Sequence, residues 1–299
     1  MTPGWLRPVT GTVLGVTSLI RKLGSAIVVA CLFLPAAASA VVIFQDTGAT
    51  AAGIQDTVDA YRAALGDPVN GNAPGPLDDG RREINWDGGG PPVVNGTAPA
   101  TPFIVFENSR GATFTTPGVG LTQAAVTGGL LSLDLINPSY ASNFAPFSPN
   151  RLFTPLGSNI TRGVFSIPGT GGALAAGVSG FGAVFSDVDL PGTSIQYFDA
   201  SGDSLGTFAV PSLPGNQTFS FLGITLDPAE GLISRVVITT GTAALGPDEG
   251  PGVDVVVMDD FFYGEPQRLV SEPHVIFLLS AGMVVLLAMT SRRSRRVRA

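Results

Sequence analysis

Between residues 41 and 273 the chain has no lysine, no histidine and no cysteine. Each absence closes a class of chemistry. Without histidine or cysteine, a Ser-His-Asp or Cys-His nucleophile has no base, and zinc sites of the His/Cys type have no ligands. Without lysine there is neither a Schiff base nor a Walker-type phosphate lysine. Disulfides are excluded from the same stretch, because the single cysteine of the chain is Cys31. Positive charge is scarce as well. All 23 acids fall between residues 41 and 273 against eight Arg, a formal charge of −15. That field repels phosphate backbones, which excludes nucleic acid as a partner.

The two ends are the reverse. Residues 1–40 carry Arg7, Arg21 and Lys22 and no acid, and residues 274–299 carry five Arg and no acid. Arg21-Lys22 precede an apolar run from Leu23 to Leu34, Pro35 closes it, and Ala38-Ser39-Ala40 follows. Charged, then apolar, then small is the order of a secretory signal, with Ala38 and Ala40 at the −3 and −1 positions of a signal-peptidase site. The apolar run is shorter than the roughly 20 residues a spanning helix needs. Residues 1–40 are therefore expected to be a removable signal peptide. Val28-Val29-Ala30-Cys31 loosely matches a lipoprotein cleavage box, an alternative that Leu32, Phe33 and Leu34 oppose.

At the other end, Val275 to Thr290 is apolar or weakly polar over 16 residues. At about 1.5 Å per residue it reaches about 24 Å, a little short of a hydrocarbon core of about 30 Å. Arg292, Arg293, Arg295, Arg296 and Arg298 follow, a cluster that holds this end in the cytoplasm and leaves the acidic domain outside. The plain reading is a tail anchor. Ser271-Glu272-Pro273, the apolar segment and the terminal Arg cluster together resemble the PEP-CTERM sorting signal of Gram-negative bacteria, over residues 271–299. Ser271 stands where that family has its first Pro. The resemblance implies recognition and processing by an exosortase, in organisms that make exopolysaccharide. It also implies a precursor anchored in the inner membrane and a product at the cell surface or in the extracellular matrix.

In the middle, glycine and proline are frequent and helical periodicity is nearly absent. The exception is Ala51 to Leu65, where Ile54, Val58, Tyr61 and Leu65 fall on one helical face, expected to dock on a sheet. Gly66 and Pro68 stop it. Residues 66–100 read as Gly/Pro-rich loop. From Phe103 onward short runs of β-formers recur between turn signals: 103–106, 111–115, 120–125, 131–136, 163–167, 181–188, 193–198, 204–210, 217–222, 233–240 and 253–263. Asp199 to Asp203 is a hairpin turn. No helix of useful length separates the strands, so parallel βαβ units are excluded. The expectation is an all-β fold: an antiparallel β-sandwich of jelly-roll type over residues 101–266, with residues 41–100 as one short helix plus loop packing on it.

The order Gly180–Asp189, Ile195–Phe198, Phe219–Gly223, Ile233–Val236 and Asp259–Gly264, with Arg81-Arg82-Glu83-Ile84-Asn85-Trp86-Asp87-Gly88 before it, resembles the jelly-roll domains of exported PEP-CTERM proteins. These are similar in outline to lectin and carbohydrate-binding folds. The resemblance implies a fold and a location and no established activity.

Carboxylates are what this middle has to work with. Ca²⁺ takes six to eight oxygens from Asp, Asn and carbonyls. The candidate ligands are Asp187 and Asp189 at a strand end, and Asp259 and Asp260 in the last strand. Alternation puts the last two on opposite faces, so one points inward and needs a metal, an Arg or N–H donors. The resemblance to jelly rolls with an Asp-Asp-aromatic final strand implies a structural Ca²⁺ there; the alternative is a buried Asp bonded to backbone or to Arg235. For sugar binding the candidates are Trp86, with Arg82, Asn85 and Asp87 beside it, and more weakly Tyr140; the alternative for Trp86 is a loop anchor packed on the sandwich. A carboxylate pair could serve a glycosidase, but with so many acids a pair proves little. The chain is read as non-catalytic: a structural or adhesive protein of the surface or exopolysaccharide matrix, with a Ca²⁺-assisted carbohydrate-binding module as the alternative.

Overall fold

The computed structural model describes residues 41–87, 98–129, 131–229 and 231–269. The chain order begins β1 (Val42–Gly48), α1 (Ala51–Leu65), β2 (Arg81–Ile84), α2 (Glu107–Arg110), β3 (Ala112–Thr115) and β4 (Gly120–Ala125). A 3₁₀ turn (Leu133–Leu135), α3 (Tyr140–Asn143), β5 (Arg151–Leu156), β6 (Ile160–Ser166), β7 (Ala175–Gly177) and β8 (Gly180–Ser186) follow. The chain then runs through β9 (Ser194–Phe198), β10 (Ser204–Ala209), β11 (Phe219–Thr225), β12 (Arg235–Thr239), β13 (Val257–Gly264) and β14 (Gln267–Arg268).

The strands form two antiparallel seven-stranded sheets, a sandwich-like arrangement. The first runs β1-β11-β8-β13-β5-β4, with β2 also on β13; the second runs β10-β9-β12-β6-β7-β14, with β3 also on β6. Phe114, Phe153, Phe181, Ile195, Val236, Phe261 and Tyr263 are among the apolar side chains packed between the sheets. The first sheet is covered on its outer face as well, where Ile54, Val58, Tyr61 and Leu65 of α1 pack on Val184, Phe219, Phe221 and Phe262. That double burial explains why every position of β8 and β13 is buried, a pattern in which alternation is invisible. β9 and β12 alternate between buried and half-exposed, with one face toward solvent. The helix approaches closely because Gly182 and Gly223 lie beneath Tyr61. A Cβ on either would stand 2.8 or 2.7 Å from its ring. Tyr61 Oη then donates to the Ile224 carbonyl at 3.0 Å.

Several segments depart from the expected strand pattern. β1 and β2 lie in the region read as one short helix plus loop, yet β1 pairs with β11 along its whole length and β2 pairs with the end of β13. Residues 131–136 alternate in apolarity but find no partner strand among the described residues; of their apolar side chains Leu133 alone is buried, and Leu135 is 67% exposed. Residues 103–106 supply one bridge, Phe103 to Phe114. β5 is an unexpected strand with Pro155 inside it, opposite Leu121 of β4.

One irregularity in β13 reaches the chemistry. Against β8, Met258 lies opposite Phe185 and Phe261 opposite Ala183, so an extra residue is accommodated between them as a bulge. The strict alternation expected for Asp259 and Asp260 fails there. Both carboxyl groups reach the same segment, Phe147–Ser148.

Candidate functional site

The bulge, the end of β2 and the last turn of α1 build a polar cleft of about 370 Å³ lined by Arg62, Val69, Glu83, Asn85, Arg110, Ser148 and Asp260. β2 pairs antiparallel with β13, which sets Glu83 opposite Phe262, while α1 lays Arg62 across the Phe262 ring at 4.6 Å. The Arg62 guanidinium is the hub. It meets Asp59 at 2.9 Å, Glu83 at 3.3 Å and Asp260 at 4.0 Å, and its buried Nε has no hydrogen-bond partner among the described residues. Ser148 Oγ donates to Asp260 Oδ1 at 2.6 Å. Arg81 Nε holds the other oxygen of Glu83 at 2.7 Å, and Arg110 is tied to Asn72 at 2.8 Å.

Behind the cleft, Asp259 is fully buried. Its Oδ2 accepts from the backbone N–H groups of Phe147 at 2.5 Å and Ser148 at 3.3 Å. Its Oδ1 meets no N–H or hydroxyl donor and faces the Asp260 carboxyl. Burial, then the charge of Asp260, holds Asp259 well above the usual carboxylate range. Burial raises Asp260 too, opposed by the Ser148 hydroxyl and by Arg62. Neighbouring buried carboxyls disfavour each other's ionisation, so the pair is expected to share a proton. Backbone donors and an Arg therefore hold these acids, and the Arg is Arg62; Arg235, the one considered from sequence, instead stacks on Phe198 at 3.8 Å.

The structure separates the four residues grouped as a sugar site. Trp86 is completely buried, stacked on Phe153 at 3.7 Å and ringed by Phe103, Phe106, Phe114 and Phe261. Its indole N–H donates to the Asp259 carbonyl at 2.8 Å. It cannot serve as a stacking platform and is the core anchor of the alternative reading. Arg82 is equally buried, paired with Glu265 at 2.6 and 2.7 Å and donating to the carbonyls of Gly71 and Ala73 at 2.8 Å each. Asp87 accepts from the backbone N–H groups of Asn150 and Arg151, fastening the strand end to β5. Only Asn85 is exposed and lines the cleft. Tyr140 is buried, its hydroxyl between Gly246 and Pro247. Arg62, Glu83, Arg110 and Ser148 carry no spacing signal in the sequence, because they lie on two helices, a strand and a loop.

Asp187 and Asp189 lie elsewhere, just beyond β8. Asp187 sits at φ +70°, in the left-handed region, which turns the chain out of the strand. It is fully buried, and among the described residues neither carboxylate oxygen meets a hydrogen-bond donor; the group they face is the Glu249 carboxyl. Burial first, then the charges of Glu249 and Asp189, push Asp187 up to about 9. Burial lifts Glu249 to about 7. Asp189 accepts from Gly215 N–H at 2.7 Å, and Asp254 from Asp189 and Leu190 N–H at 3.2 and 3.3 Å. Asp199, by contrast, caps its own turn, accepting from Ser201 and Asp203 N–H at 2.9 Å each.

Among the described residues, no group of three or more His, Cys, Asp or Glu is arranged to hold a metal ion, and no helix is long and apolar enough to cross a membrane. Ala38, Ala40, Ser271, Glu272, Pro273, Arg292, Arg293 and the apolar segment 275–290 lie outside the described residues. No family model, no curated protein and no solved structure matches the chain.

Proposed function

We propose that the chain is an exported, non-catalytic protein of the cell surface or exopolysaccharide matrix that contacts polysaccharide through the cleft around Arg62 and Asp260. The observation that carries this reading is the lining itself. Two guanidinium groups, two carboxylates, an amide and a hydroxyl converge on one opening. Planar charged and amide groups of this kind pair with vicinal hydroxyls by charge-assisted hydrogen bonds. The order of the two ends supports delivery: a signal peptide cleaved after Ala40, then a PEP-CTERM-type tail sorted by an exosortase. The strand order, in which sequence neighbours are mostly not sheet neighbours, supports the finer assignment of the sandwich as a jelly roll.

Catalysis fits the cleft poorly. A glycosidase needs its two carboxyls to face each other across the scissile bond. Here Arg62 stands between Glu83 and Asp260, within 3.3 and 4.0 Å of them, where the glycosidic oxygen would have to lie. The test is calorimetric titration of the full chain, purified in detergent, with neutral and uronic-acid-containing bacterial exopolysaccharides. Among the described residues the Asn85 side chain forms no hydrogen bond beyond that to Asp87, so Asn85→Ala is the clean probe. Losing one neutral hydrogen bond at about 1 kcal/mol predicts roughly fivefold weaker binding. Absence of binding to every polymer, or equal binding by Asn85→Ala and wild type, would remove the cleft from the account.

A further inference from the structure

The acids beyond β8 stand apart from the polar cleft and take no part in that reading. Asp187 is enclosed entirely, and an ionised carboxylate enclosed without donors is costly unless a cation or proton meets it. What its oxygens face is a second carboxyl, that of Glu249, which makes the deficit worse rather than better. Asp189 and Asp254 add further negative charge at the same sandwich end, and no Arg forms an ion pair with any of the four among the described residues.

The surroundings hold both carboxyls in place. Asn143 Nδ2 donates to Glu249 Oε2 at 2.6 Å, and Val255 N–H approaches Oε1 at 3.4 Å. Asn143 is in turn fixed by α3, by Gln217 N–H donating to its carbonyl at 2.7 Å and by Asn216. Asp187 N–H donates to the Thr218 carbonyl at 2.9 Å, with Asp187 and Gln217 both in the left-handed region, at φ +70° and +62°. Such backbone persists only where its surroundings over-determine it. The result is a buried carboxyl, that of Asp187, facing the half-buried one of Glu249, with the Asn143 amide N–H on the latter and two more carboxylates nearby.

We propose that Asp187 and Glu249 bridge a hard divalent cation, Ca²⁺ by chemistry, which pins the loop carrying Glu249 and Asp254 to the end of β8. Two carboxylates, with carbonyl, amide and water oxygens completing the shell, suit the 10⁻⁴ to 10⁻³ M affinities of extracellular Ca²⁺ modules. Asp189 and Asp254 keep their backbone bonds and act through charge. The cation site stands whether or not the cleft binds polysaccharide.

The test is CaCl₂ titration of the chelator-treated full chain, by calorimetry and by thermal melting. One Ca²⁺ per chain is expected. At ten times the dissociation constant it should raise Tm by about 3–6 °C. Asp187→Asn removes a buried charge, so the metal-free variant should melt at or above wild type while losing the Ca²⁺ response. Glu249→Gln, on a half-exposed loop, should lose it too, and Asp259→Asn should keep it. No binding by wild type at ~10 mM Ca²⁺, well above that affinity range, overturns the proposal. So does a Ca²⁺ response that survives intact in either Asp187→Asn or Glu249→Gln.

Discussion

Replacing Arg82 by Ala should be among the most damaging single changes in the chain. Arg82 is wholly enclosed, and its guanidinium makes four hydrogen bonds of 2.6 to 2.8 Å: two to Glu265, one to the Gly71 carbonyl and one to that of Ala73. It thereby clamps the loop before β2 to the turn after β13. Without it, Glu265 keeps Asn70 Nδ2 at 2.8 Å and Leu77 N–H at 3.3 Å but loses its only ion-pair partner among the described residues. Breaking one side of a buried pair costs about 3–5 kcal/mol, because the surviving charge remains buried. Arg82→Lys should recover little, since an ammonium cannot fill a planar four-bond fork. The informative comparison is Arg82→Met with Glu265→Leu. Removing both charges should restore at least half of the loss, because most of the damage is the orphaned carboxylate. Urea unfolding of the full chain measures all three. A loss under about 1 kcal/mol for Arg82→Ala would refute the reasoning, as would a double variant no more stable than the single one.

Trp86→Ala should cost about 3–5 kcal/mol by opening a cavity amid five Phe rings; urea midpoints check this, and polysaccharide affinity of the folded fraction should be unchanged. The Asp259–Asp260 pair sets a pH dependence. Both carboxyls titrate higher in the folded state than the unfolded value of about 4, so the folded protein holds more protons. Their contribution is therefore complete below about pH 4 and is lost as pH rises through the folded-state values, by at most about 1.4 kcal/mol per pH unit for each group. Arg62, facing Asp260, limits the loss, and Glu83 adds to it. Melting of chelator-treated protein from about pH 4 to 8 should fall less steeply in Asp259→Asn than in wild type; parallel curves would contradict the shared proton. Arg62→Met keeps an apolar chain of similar length and removes the guanidinium that sits over Phe262. It should weaken polysaccharide binding by about 10-fold or more, read by calorimetry.

How far the residues announce this structure depends on what kind of order each part needs. The α1 stripe of Ile54, Val58, Tyr61 and Leu65 is legible because one helix face alone is buried. The Asp199 turn is legible because its hydrogen bonds are local. β1 and β2 are not, because β1 is an edge strand with polar positions and β2 is a run of three charges before Ile84. Their strand character comes from pairing with β11 and β13, which lie more than a hundred residues away. The candidate site shows the same division. Asp260 and Asn85 were legible as polar residues beside aromatics, yet their partners Arg62, Glu83 and Ser148 meet them only through tertiary pairing. Trp86 was visible as a large aromatic in a polar block. Which way it points was decided by the Phe rings and by the Asp259 carbonyl.

The most direct test of the account expresses the full chain in an exopolysaccharide-producing, exosortase-bearing bacterium and quantifies its partition among membrane, matrix and medium. The account predicts a product that begins at Val41, lies outside the cell and fractionates with the matrix. It further predicts that a variant carrying Arg62→Met and Asn85→Ala is exported equally but released to the medium. A chain that stays inside the cell, or a variant held by the matrix as tightly as wild type, would contradict it.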